Sequence, residues 1–198
     1  MFEPTTDNPF EQFQAWFAEA EETEPNDPNA MTLATADADG RPSTRIVLMK
    51  GFDDQGFVFY TNLESQKGRE LEVNPFAALL FHWKSRCRQV RVSGPVTQVS
   101  PAEADAYYDS RAYGSRIGAW ASQQSRPLAD RATLTAAVER FETQYEGKPV
   151  PRPPYWGGYR LTPLRIEFWQ DGEFRLHDRF VFERLTEGQP WAVQRLYP

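Results

Sequence analysis

The spacing of hydrophobic positions changes as the chain advances. Phe10, Phe13 and Phe17 recur at intervals of three and four, which places them on one helical face. Asn8 stands at the cap position, Pro9 at the first helical position, and Glu11 where it can close a capping box. The turn-forming stretch EETEPNDPN ends that helix. From Met31 the period falls to that of strands. MTLATADADGRPSTRIVLMKGFDDQGFVFYTNL reads as strand, turn at Asp39-Gly40, strand, turn at Asp54-Gln55-Gly56, strand.

Ser65 can cap a short helix that stops before Asn74-Pro75. AALLFHW and RQVRVSGPVTQV supply two more strands, the second with Val90 and Val92 inward and a bulge or bend expected at Gly94-Pro95. Ser100, Pro101 and Glu103 repeat the cap, proline and box pattern and open a helix through AEADAYYDSR. Another helix follows Pro127, with Leu134, Val138, Phe141 and Tyr145 on one face and Gly147 at its end. KPVPRPP is too rich in proline for regular structure. Three closing strands, LRIEFWQ, EFRLHDRFVFERL and WAVQRLY, are joined by turns at Asp171-Gly172 and Glu187-Gly188. The expected fold is mainly β with flanking α-helices: a partly closed barrel of about seven or eight antiparallel strands. It forms a single domain over residues 1–198, of which 1–28 are an N-terminal helix and linker.

Composition narrows the chemistry. The net charge of -6 argues against nucleic acid as the main partner, since phosphate backbones demand a basic surface. No apolar run is long enough to span a membrane, and MFEPTTDNPFEQFQ has neither the basic nor the apolar region of a secretion signal. A lone Cys87 suits a reducing cytoplasm, and with only His82 and His177 beside it a metal site is not expected. In an acidic chain, clustered cations carry the information.

Four stretches hold such clusters. In RIVLMK, Arg45 and Lys50 either flank a buried strand or converge if the strand bends near its end. Lys67 falls in the first turn of the helix after Ser65, where a cation is unfavourable unless an anion binds beside it. Tyr107 and Arg111 share a helical face, and Ser115 follows just past a break at Gly114; together they could donate to phosphate oxygens, or simply cover the surface. In FRLHDRF, read as strand, Arg175, His177 and Arg179 share one face. There is no glycine-rich phosphate loop and no nucleophile motif. The residues point to a phosphorylated aromatic ligand held against an aromatic-rich barrel.

RIVLMK, FYTNLESQKG, RQVRV, YYDSRAYGSRIGAWASQQS, YWGGYRLTP, IEFWQ and RLHDRF, in this order and spacing, resemble the pyridoxine/pyridoxamine 5′-phosphate oxidase family from about Asn29 to Pro198. The resemblance implies an FMN-binding split β-barrel and a homodimer with both active sites at the subunit interface. It implies an FMN site of Arg45, Ile46, Val47, Leu48, Met49, Lys50, Tyr60, Thr61, Gln66 and Lys67, completed by Gln89, Gln124, Ser125, Trp169 and Arg179. It assigns Lys50, Tyr107, Arg111 and Ser115 to the substrate phosphate, and Arg175 and His177 to the pyridine ring as catalytic residues. The implied reaction converts pyridoxine 5′-phosphate and pyridoxamine 5′-phosphate with O2 to pyridoxal 5′-phosphate and hydrogen peroxide, with ammonia from the amine. Two departures stand out. Gln66 replaces the family's usual arginine, and no basic arm precedes Asn8. Two rivals remain: a flavin oxidase of the phenazine type, and a flavin- or pyridoxal-phosphate-binding protein without turnover.

Overall fold

Strand β1 (Ala30–Ala36) buries every second side chain and pairs antiparallel with β2 (Pro42–Leu48) and β5 (Phe76–Trp83) in the computed structural model, which describes all 198 residues. Next come the short β3 (Gly51–Asp53), β4 (Gly56–Asn62), the long β6 (Arg88–Gln98) and β7 (Trp156–Leu161). The chain closes with β8 (Arg165–Gln170), β9 (Asp178–Glu183) and β10 (Ala192–Leu196). The sheet runs β10-β9-β8-β6-β5-β1-β2, while β7 bonds both β6 and β4, and β4 bonds β3. This curls β2, β1, β5, β6, β7, β4 and β3 into a ring. Its last link, from β3 to β2, is covalent through Met49 and Lys50 rather than a ladder. That unbonded seam is the split in the barrel.

There are ten strands rather than about seven or eight. The additional two are β3, a three-residue piece, and β7, whose Gly157-Gly158 pair disguises a strand. Glycine is required at 158 because a Cβ there would lie 2.7 Å from the Tyr60 ring.

Helix α1 (Pro9–Thr23) plugs one end of the barrel. Its Phe13 is fully buried and meets Phe57, Phe81 and Trp83, while Trp16 meets Phe168 edge-on. Asn8 caps it through Phe10 N–H, but Glu11 bonds the side chains of Thr6 and Asn8 instead of closing the box on backbone. Ser65 caps α2 (Gln66–Val73), and Ser100 caps α3 (Pro101–Ser110). Glu103 also leaves its box open, pairing with Arg160. The break between α3 and α4 (Tyr113–Ala121) falls at Arg111 and Ala112, both extended, and not at Gly114, which is helical. Asp130 caps α5 (Arg131–Gln144), whose Phe141 packs on Trp120 of α4. No helix is long and apolar enough to cross a membrane.

The strand expected over FRLHDRF begins only at Asp178. Glu173–Arg175 is a 3-10 turn, with Phe174 and Arg175 at φ of 57° and 65°. Gly172 packs so tightly on Leu176 that a Cβ would lie 2.3 Å from its carbonyl oxygen, and this close turn leaves no room for extended backbone. Strand alternation therefore does not align Arg175, His177 and Arg179.

At Gly94-Pro95, β6 continues but changes partners: Arg88–Ser93 bond β8, and Val96–Gln98 bond β7. A Cβ on Gly94 would meet the Thr162 carbonyl oxygen at 2.0 Å, a backbone atom that cannot swing aside. Gly94→Ala is expected to cost about 3 kcal/mol through forced overpacking, read as a lowered denaturation midpoint. A wild-type midpoint would show that the crossing tolerates separation.

Candidate active site

The seam opens into a cleft of about 760 Å³ between β2, the end of β4, the start of α2 and the α3–α4 break. It is lined by Arg45, Ile46, Val47, Leu48 and Lys50 from one side and by Tyr60, Thr61, Gln66 and Lys67 from the other. Tyr107, Arg111, Ser115, Gln124 and Ser125 close it. The turn after β2 is what brings Arg45 and Lys50 to one space, resolving the open choice at RIVLMK. Met49 is the exception in that run: it is buried in the core.

Four cations line the cleft, and no Asp or Glu does. Arg45 is the only one with a carboxylate partner, Glu70 Oε2 at 3.3 Å. Glu70 also accepts from Thr35, Ser43 and Gln66. Burial raises its pKa, but those hydrogen bonds and Arg45 outweigh it and bring the carboxyl down to about 2. The Gln66 amide is thus turned to Glu70 at 2.8 Å.

Lys67 is buried, its ammonium donating to Thr61 Oγ1 at 3.1 Å and Ser65 Oγ at 3.3 Å. Burial first, then the charge of Arg45, lowers its pKa to about 8 against the opposing pull of Glu70. Arg111 forms no ion pair, and its Nη1 is buried without a hydrogen-bond partner. Burial pulls its pKa down too. Tyr60 and Tyr107 stack at 4.0 Å, with Trp156 parallel to both, and burial lifts the Tyr60 hydroxyl to about 12. Trp156 was not among the residues expected from sequence. Its adjacency to two glycines hid the strand that delivers it.

Gln89, Trp169, Arg175, His177 and Arg179 lie elsewhere. Gln89, Trp169 and Arg179 face one another across β6, β8 and β9. Arg179 is paired with the buried Glu167 at 2.7 Å. The His177 ring lies tilted against Trp169 at 4.6 Å, and its Nδ1 lies 3.2 Å from Gly172 N and 3.0 Å from Asp171. Arg175 is exposed on its left-handed turn. β9 and β2 are five strand steps apart, about 24 Å along the sheet. One chain therefore presents a cationic cleft and, separately, an aromatic and cationic row.

Together, the barrel and cleft define a split-barrel protein built to hold an anionic aromatic ligand. Residues 17–145 match the family model described as pyridoxamine 5′-phosphate oxidase, and residues 156–198 match the pyridoxine 5′-phosphate oxidase C-terminal dimerisation region. The pyridoxine/pyridoxamine 5′-phosphate oxidase of Rhodopseudomonas palustris is 59% identical over 97% of this chain and 91% of its own length. That of Hyphomonas neptunium is 61% identical over 98% and 89%. The crystal structure of PhzG from Burkholderia lata, in complex with tetrahydrophenazine-1-carboxylic acid, is 34% identical with a TM-score of 0.92, covering 100% of this chain and 98% of that one. An FMN-binding protein from Nostoc punctiforme shares the fold at a TM-score of 0.77 and 19% identity, covering 96% and 98%. The chain belongs to the pyridoxine/pyridoxamine 5′-phosphate oxidase family, whose members are FMN-dependent oxidoreductases.

The cleft fits FMN on its own chemistry. It offers four lining cations with no lining carboxylate, and a volume within the range of about 300–1,000 Å³ usual for such ligands. If Lys67 contacts the FMN phosphate, as the resemblance implies, it sets a pH dependence. A phosphate needs its ammonium form, so binding should weaken as pH rises through about 8, where the free protein loses that proton. Titrating apoprotein with FMN at pH 7 and pH 9 should show affinity falling by up to about tenfold. Lys67→Met should bind more weakly and lose that difference. Equal affinity at both pH values in the wild type would remove Lys67 from the phosphate site.

Proposed function

We propose that this protein oxidises pyridoxine 5′-phosphate and pyridoxamine 5′-phosphate to pyridoxal 5′-phosphate in a site assembled from two chains of a homodimer. The observation behind it is the cleft with four cations and no carboxylate, walled by Tyr60, Tyr107 and Trp156. Arg45, Ile46, Val47, Leu48, Lys50, Tyr60, Thr61, Gln66, Lys67, Gln124 and Ser125 hold FMN; Met49 does not, because its side chain is in the core and its N–H and carbonyl both bond Asn29. Lys50, Tyr107, Arg111 and Ser115 hold the substrate phosphate. The partner's row supplies Gln89, Trp169 and Arg179 to the flavin and Arg175 and His177 to the pyridine ring. The dimerisation region, residues 156–198, contains Trp169, Arg175, His177 and Arg179, four of these five residues.

FMN bound there supplies hydride acceptance from the carbon bearing the alcohol or amine, with dioxygen as final acceptor, hydrogen peroxide as by-product and ammonia from the amine. The chain's own residues orient and exclude water. Phosphate contacts remote from the reacting carbon aim the substrate, and the ring-facing pair aligns that carbon. The phosphate contacts favour an ester over the phosphate-free ligand of PhzG.

Arg111 touches a group that is unchanged during reaction, so Arg111→Ala should mainly raise KM. Arg175→Ala and His177→Ala should lower kcat instead, with flavin content kept in all three. Peroxide release with both esters measures this, and flavin loss from Arg111→Ala or wild-type kinetics in both others would refute the assignment. Hybrid dimers test the shared site. Arg111→Ala and His177→Ala chains refolded together leave one intact cleft per mixed dimer, so activity should reappear. No recovery in demonstrated mixed dimers would mean that each site lies within one chain.

A further inference from the structure

The cleft stabilises its cations in different ways, and Arg111 is the unusual case. Arg45 leans on Glu70, and Lys67 on two hydroxyls. Arg111 has no carboxylate, yet its Nη1 is buried. What it does have is aromatic: its guanidinium carbon lies 4.8 Å from the centre of the Trp156 ring and 5.7 Å from that of Tyr108.

Trp156 itself is held firmly. It is only 6% exposed and opens β7 opposite Asn62. Its N–H donates to Pro153 O at 3.0 Å, and its carbonyl accepts from Arg152 at 2.7 Å. The ring lies parallel to Tyr60 at 5.5 Å and meets Tyr108 edge-on at 5.1 Å. The indole cannot swing away without disturbing both tyrosines.

We infer that Trp156 is a positioning residue that holds the Arg111 guanidinium ready for the substrate's phosphate. A carboxylate partner would occupy the guanidinium's N–H donors and cancel its charge. An aromatic face attracts the cation through its quadrupole and accepts no in-plane N–H. The guanidinium donors are left without a protein acceptor, and the charge stays uncompensated until an anion arrives. This inference rests on the reading of Arg111 as a phosphate contact.

The test uses the FMN-loaded protein with KM and kcat for pyridoxine 5′-phosphate, and the dissociation constant of inorganic phosphate as a probe without a ring. Trp156→Leu should raise KM and the phosphate dissociation constant by roughly three- to thirty-fold, the span of a desolvated cation–π contact. The effect should fall on KM rather than kcat. Trp156→Phe, which keeps a weaker π face, should lose less. Combined with Arg111→Ala, neither variant should add a further loss, because the tryptophan acts through the arginine. Additive losses, flavin release from Trp156→Leu, or wild-type phosphate affinity would overturn the inference. Should Trp156→Leu not fold, the cycle with Trp156→Phe decides alone. A silent Trp156→Leu beside a sensitive Arg111→Ala refutes only the role of Trp156; a silent Arg111→Ala refutes the phosphate contact itself.

Discussion

Strands β2 and β4 approach across a seam without sharing hydrogen bonds, because Met49 and Lys50 carry the chain straight from β2 into β3. β3 covers only the Gly56–Val58 part of the β4 edge. The rest of that edge, Phe59 to Asn62, is bonded to β7 on its other side alone. A continuous barrel would have filled this space with a ladder and core side chains. The interruption instead leaves a groove with backbone edges on both walls, and the residues on those walls are the ones that line the cleft. Helix α1 makes the arrangement tolerable by sealing the barrel end with Phe13 and Trp16.

The electrostatics follow from that geometry. In a chain with six more acidic than basic charges, the carboxylates are kept out of the groove. The one acid that reaches a groove cation, Glu70, is buried behind Arg45 and fully engaged by hydroxyls and an amide. Burial of Lys67 and Arg111 disfavours their charged forms, as both lowered pKa values record. On the proposed reading, a bound phosphate would reverse that penalty, and the unsatisfied charge here is capacity held for it.

The second cationic surface obeys a different logic. Its row across β6, β8 and β9 is fixed by strand register, and Arg179 is steadied by the buried Glu167. Glu167 keeps a lowered pKa because Arg179 and Arg165 outweigh its burial. The adjoining turn, closed by Gly172 and the left-handed Phe174 and Arg175, presents Arg175 outward. Distance along the sheet separates this surface from the groove of the same chain. The dimerisation region spans both, since β7 brings Trp156 to the groove and β8 and β9 bear the row.

Much of this was legible from local pattern. Helix caps at Asn8, Ser65 and Ser100, the burial of Val90 and Val92, and the antiparallel barrel all follow from side-chain period and turn chemistry, which act over a few residues. The block pattern also indicated the family. Other features depended on contacts between distant segments. Gly157 and Gly158 lie in a strand because Tyr60 and Leu63 fill the space beside them, and no local rule foretells that. FRLHDRF alternates like a strand, yet the packing of Gly172 on Leu176 bends it into a turn. Arg45 and Lys50 share a cleft only because the barrel is split between β2 and β4. Sequence determined which residues bear the charge; the tertiary structure decided which charges meet, because sheet closure brings together positions that local periodicity cannot relate.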